Sequence, residues 1–176
     1  MKDSKQEDKA KNDALNYLSY RLRTEIEIIR HLSKKHSVEV INKTLVFLRR
    51  EKLVDDQEFA KEWTRSRVEY KPRSASLIKK ELMANGIDHS IANEVVKDLD
   101  ETSNAYRVGQ RAMARIAFKN YTEFYTKIKG YLQRRGFNYG VISQTVDRLW
   151  SNREEGNLKK CDLLQGACPA LKSQKV

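Results

Sequence analysis

The sequence predicts an all-α protein of three tandem three-helix repeats forming an elongated, curved body. Three observations carry this prediction. The chain resembles itself at an offset of 50 residues, helix breakers are scarce (seven Gly and two Pro in 176 residues), and apolar residues recur three and four apart. At that offset Ile28, Ile78 and Ile128 coincide, as do Leu32, Leu82 and Leu132. So do Ile41, Ile91 and Val141, then Leu45, Val95 and Thr145, then Val46, Val96 and Val146. Gly86 and Gly136 fall in one further column, which His36 occupies in the first copy.

Each repeat is expected to open with a leading helix. Residues 12–21, with Ala14, Leu15 and Leu18 at helical spacing, supply the first; residues 56–69 and 104–118 supply the others. The second helix of each repeat holds the Ile and Leu columns, which share a face because they lie four apart. Gly86 and Gly136 fall just past that helix, where a residue without Cβ takes the left-handed conformation freely. Asp88 and Asn138 then stand at the N-cap of the third helix, and the later columns continue along it. Thr24 with Glu27, and Asp55 with Glu58, have capping-box spacing. Pro72 should end one helix before Ser74 caps the next. The boundaries that follow are an N-terminal extension at 1–9, repeats at 10–54, 55–102 and 103–150, and a mobile tail at 151–176 interrupted by Gly156, Gly166 and Pro169.

Charge is unevenly distributed. The net charge is +11, yet residues 56–103 carry −2 and residues 104–150 carry +7, with Glu123 and Asp147 as the only acids of that last stretch. A basic surface of this kind favours a polyanion or an acidic protein groove. On the third leading helix Arg107, Arg111, Arg115 and Lys119 recur every four residues; Arg107 and Arg111 are expected to face outward, away from Ala105, Val108, Ala112 and Ile116. No i, i+4 ion pairs are expected to neutralise this region. Lys127, Lys129, Arg134 and Arg135 add charge farther on, and Arg21, Arg23, Arg49 and Arg50 form a smaller group in the first repeat. Lys71 and Arg73 flank Pro72 on a turn expected to be exposed. Among the interleaved aromatics, Phe124 and Phe137 read as core, whereas Tyr121, Tyr131 and Tyr139 could stack on single-stranded bases.

Residues that carry chemistry are not assembled in any familiar pattern. There is no glycine-rich phosphate loop, and His31, His36 and His89 lack metal-ligand spacing. Cys161 and Cys168 match no zinc motif. Asp55, Asp56 and Glu58 sit at a helix start, where the helix dipole favours negative charge, and read as capping residues before metal ligands. With no secretory or membrane-spanning segment in view, the expectation is a cytoplasmic binding protein with no catalytic residues, metal or cofactor.

Four stretches in order, "ALNYLSYRLRTEIEIIRHLSKK" (14–35), "FLRREKLVDDQEFAKEWTRSR" (47–67), "LIKKELMANGID" (77–88) and "YLQRRGFNYGVI" (131–142), resemble the bacterial RecX regulatory family. The resemblance spans roughly residues 10–150. It rests on Leu-Ser-x-Arg followed by Arg-x-Glu, on Asp-Asp-x-x-Phe-Ala, and on the late Arg-Gly-Phe. It implies tandem three-helix repeats and a monomer that lodges in the groove of the RecA filament on single-stranded DNA, with weak binding to double-stranded DNA. It further implies restraint of RecA's ATPase, strand-exchange and coprotease activities in recombination, DNA repair and the SOS response. Leu18, Ile28, Leu32, Asp55, Phe59, Ala60, Leu82, Gly86, Gly136 and Phe137 match as structural positions. The basic residues beside those motifs would touch the filament. Lys52 stands where a Gly is expected after the third helix of the first repeat, and His36 where one is expected after the second. The readings weighed against a filament modulator are a general DNA-binding helical repeat protein, a scaffold for protein partners and, more remotely, a nuclease.

Overall fold

The computed structural model describes residues 2–163, and the side chains of residues 5–153. The described residues form nine α-helices and no strand. They are α1 (Lys2–Leu18), α2 (Glu25–Leu32), α3 (Val38–Arg50), α4 (Asp56–Glu69), α5 (Ala75–Ala84), α6 (His89–Val96), α7 (Glu101–Met113), α8 (Tyr121–Gln133) and α9 (Tyr139–Leu163). The chain divides into two compact units, one ending at Leu99 and the other beginning at Asp100.

The first unit has two apolar clusters. Ala14, Ile28, Leu32, Ile41, Leu45, Leu48 and Val54 close over α1–α3, while Phe59, Ala60, Ile78, Leu82, Ile87 and Ala92 close over α4–α6. Between them, Thr24 Oγ1 donates to Asn85 O at 2.7 Å and Asp56 Oδ1 accepts from Glu25 N at 3.0 Å. Gly86 packs so close to Ile26 that a Cβ there would meet its side chain at 2.6 Å. The second unit has one cluster, built from Ala105, Val108, Ala112, Phe124, Ile128, Leu132, Phe137, Ile142, Val146 and Leu149. Gly109 lets Leu149 of α9 approach the α7 backbone, since a Cβ there would collide with Leu149 Cδ1.

Helix termini follow the expected chemistry. Gly86 and Gly136 take φ of +88° and +84°. Thr24 and Glu27 make the full capping box. Asp55 caps Gln57 N and Glu58 N, at 2.8 and 3.0 Å. Ser74, Asp88 and Asn138 accept from Leu77 N, Ser90 N and Val141 N.

Several expectations are corrected. The first helix starts at Lys2 and ends at Leu18, so residues 2–9 are its opening turns. The third leading helix covers Glu101–Met113, because Asp100 caps it through Ser103 N, and it ends at Ala114 before the four-residue basic row is complete. Val46 does not share the buried position of Val146: it is 62 % exposed while Thr44, Leu45 and Leu48 face the core. Helix α9 runs through Gly156 to Leu163; one helix-interior glycine costs only about 1 kcal/mol against alanine. Residues 164–176, with Gly166, Cys168 and Pro169 of the expected mobile tail, lie outside the described residues.

The two glycine-less turns close in different ways. Lys52 adopts φ of +54°, and Leu53 N donates to Leu48 O at 2.9 Å, so lysine occupies the left-handed terminus itself. His36 avoids positive φ; its amide donates to Leu32 O and its Nε2 lies 2.9 Å from Asp13 Oδ2, tying the turn to α1.

Candidate nucleic-acid interface

In the first unit most of the candidate cations are already occupied. Arg21 and Arg23 share Glu27, and the Arg23 guanidinium also lies 4.0 Å from the Tyr17 ring. Arg49 forms a two-point pair with Glu25, at 2.5 Å on each arm. That bond raises the arginine's pKa further above its ordinary value. Arg50 pairs with Glu51 at 2.9 Å. Arg73 pairs with Glu81, a carboxylate that also accepts from Arg67 Nε at 2.7 Å and Trp63 Nε1 at 3.1 Å. Pro72 is buried, so of the turn predicted to be exposed only Lys71 stands clear.

The second unit differs because its sequence offers so few acids. Arg107, Arg111, Arg115, Lys119, Lys127 and Arg134 are all exposed, and Arg135 is half-buried. Arg107 Nη2 donates to Oδ1 of the buried Asn104 at 2.5 Å, so this exposed arginine is already engaged by its own helix. For Arg111, Arg115, Lys119 and Arg134 no side-chain carboxylate lies within ion-pair distance among the described residues. Lys127 corrects the expectation that no ion pair forms here. Its Nζ meets Glu123 Oε1 at 2.5 Å and Ala117 O at 2.7 Å, and the bond holds the Glu123 carboxyl below its usual range.

Aromatic rings gather on the same unit. Phe124 and Phe137 are buried, as core residues should be. Tyr131 is half-buried beneath the Arg135 guanidinium at 4.1 Å, which also donates to its hydroxyl at 2.8 Å. Tyr121 donates to Asp147 Oδ1 at 2.8 Å, a bond that raises the phenol's pKa, and its ring meets Trp150 edge-on at 5.3 Å. Tyr139 is 65 % exposed. Sequence reasoning counted Lys129 only as added charge and left Arg148 and Arg153 out of the candidate set. Lys129 lies 5.6 Å from the Tyr125 ring and 5.5 Å from that of Tyr139. Arg148 lies over Tyr106, and Arg153 over Phe118 and Trp150. The spacing of Tyr125 and Lys129, four apart on one helix, was a legible signal; the contact of Arg148 joins α9 to α7 and leaves no local trace.

Among the described residues no group of three or more His, Cys, Asp or Glu side chains is placed to hold a metal ion. No described helix is long and apolar enough to cross a membrane. The arrangement can therefore supply positive charge, hydrogen-bond donors and π faces to a polyanion.

Models of the three RecX three-helix domains match residues 10–48, 55–96 and 99–146, covering well over half the chain. The chain belongs to the RecX family. Regulatory protein RecX of Chlorobium limicola is 31 % identical over 153 residues, covering 84 % of this chain and 96 % of its own. That of Bacillus subtilis is 30 % identical, covering 85 % of this chain and 58 % of its own. The crystal structure of RecX from Lactobacillus salivarius superimposes with a TM-score of 0.72 at 27 % identity, covering 83 % of this chain and 97 % of that one. For this RecX-family chain the all-α repeat fold and a regulatory role follow.

Proposed function

We propose that the chain binds the filament that RecA forms on single-stranded DNA and lowers its ATPase, strand-exchange and coprotease activities without catalysis of its own. Family membership supports the regulatory part of this reading. The observation that carries the contact surface is the contrast between the units. Five of the six candidate cations of the first unit are paired with carboxylates, whereas Arg111, Arg115, Lys119 and Arg134 of the second are not. Unpaired, exposed cations release counterions from a phosphate backbone without first breaking an internal ion pair. The acid-poor second unit is therefore the phosphate-facing part, and the first unit's arginines mainly hold their own repeats together. A filament of this kind forms in the bacterial cytoplasm, where the reading also places this chain.

The same basic surface would serve a general DNA-binding protein acting without RecA. Titrating the chain into RecA's single-stranded-DNA-dependent ATPase separates the two. Inhibition at ratios well below one chain per RecA supports filament modulation. Inhibition only once the DNA is coated supports the general reading, and no inhibition removes the first. An R134E/R135E variant is expected to lose most inhibition while keeping its helical circular dichroism.

A further inference from the structure

In the second unit, large apolar side chains stand out in solvent at two places among the described residues, Tyr121 and Tyr139. The two belong to one ribbon. Lys129 joins the Tyr139 and Tyr125 rings, its Nζ lying 5.5 and 5.6 Å from their centroids. The Tyr125 ring lies 6.0 Å from that of Tyr121, Tyr121 lies 5.3 Å from Trp150, and Trp150 lies 6.3 Å from Phe118. A cation stands at each end: Lys129 over Tyr125 and Tyr139, and Arg153 over Phe118 and Trp150. Beneath the ribbon, Phe124 is fully buried and touches both Phe118 and Trp150, at 4.8 and 5.2 Å, so the rings are seated on the core.

We propose that this ribbon is a stacking track for the unpaired bases of single-stranded DNA, with Lys129 and Arg153 meeting the flanking phosphates. The proposal rests on the function proposed above and assigns to particular residues the part that reads bases rather than charge. A polyanion whose every monomer also carries a π face is the ligand that matches a row of rings with cations at both ends in a segment of net charge +7. An acidic protein would match the cations but has no use for successive rings, and duplex DNA keeps its base faces stacked inside.

The test measures binding of the full chain by fluorescence anisotropy. The probes are a labelled short oligodeoxythymidylate, an abasic phosphodiester of the same length and an oligoglutamate peptide. The thymidylate is expected to bind about tenfold or more tightly than the abasic strand, as stacking of even one base implies. Tyr139→Ala should erase most of that ratio, and Tyr139→Phe should restore it. Tyr139 is exposed and opens α9, so its truncation should leave the fold intact; circular dichroism checks this. Arg111→Ala should weaken both strands alike and keep the ratio. Equal affinity for both strands, or a ratio untouched in Tyr139→Ala, would overturn the track while leaving phosphate binding intact. Binding of the peptide alone would overturn the track in favour of a protein-facing surface. Binding of none of the three would remove both the track and the DNA contact of the proposed function.

Discussion

At the scale of single residues, backbone conformation decides which positions tolerate change. Gly86 combines φ of +88° with contact against Ile26, so an alanine would suffer both left-handed strain and a collision at 2.6 Å. Gly86→Ala is expected to lower unfolding stability by about 2–4 kcal/mol in urea titration, combining left-handed strain with overpacking. Lys52 is the opposite case. It holds φ of +54° with a side chain that gains nothing from the conformation, so Lys52→Gly should raise stability by about 1 kcal/mol. If it does not, the lysine side chain contributes something there that the backbone geometry does not explain. The sequence pattern marked Gly86 through its column, and the family resemblance marked Lys52 as a departure, though the turn forms there all the same. What it could not report is that Gly86 also makes a close contact, because Ile26 belongs to a different repeat.

At the scale of elements, carboxylates act at helix caps and at a turn: Asp55, Asp88 and Asp100 are N-caps, and Asp13 holds the His36 turn. The carboxyls of Asp88 and Asp100 are held below their usual range by hydrogen bonds from Ser90 and Ser103, and that of Asp13 by His36. A folded-state pKa below the unfolded value contributes stability that is present above about pH 4 and lost as pH falls through the folded value. Asp56 works in the other direction. Burial pushes its carboxyl up, despite the hydrogen bond from Glu25 N, so its contribution favours the native state when protonated and is lost as pH rises. The lowered group is the larger, and the melting temperature is expected to fall with acid. Asp100→Asn keeps a cap acceptor for α7 but no longer titrates, so its melting temperature should fall less between pH 5 and pH 3 (roughly the range over which carboxylates titrate) than that of the unsubstituted chain. An identical fall in both would show that the Asp100 cap does not couple to folding.

At the scale of the whole molecule, the charge of +11 does not act as one pool. Cations already paired with carboxylates hold the repeats of the first unit, while Arg111, Arg115, Lys119 and Arg134 of the second are exposed. Salt dependence should reveal the difference. The slope of log affinity against log salt for single-stranded DNA is expected to become shallower by about 0.7 for each of Arg111→Ala and Arg115→Ala, the loss of one phosphate contact apiece. Arg21→Ala and Arg49→Ala should leave that slope unchanged. Equal effects from all four would mean that the ion pairs of the first unit open on binding and that its arginines also meet phosphate.

The helical class, the three-fold repetition, the caps at Thr24, Asp55, Ser74, Asp88 and Asn138 and the excess of positive charge in residues 104–150 were legible in the sequence, because each follows from local spacing or simple counting; the cap at Asp100 was not read. Which arginine is free was not. Arg49 of α3 meets Glu25 of α2, and Arg73 reaches from the α4–α5 connection to Glu81 of α5, and no periodicity announces such a pair. The aromatic ribbon is of the same kind, since Tyr121 and Tyr125 lie on α8 while Trp150 and Tyr139 lie on α9. Local spacing determines which residues share a face of one helix; only packing decides which faces meet, and the division of these cations between holding the fold and facing a ligand arises there.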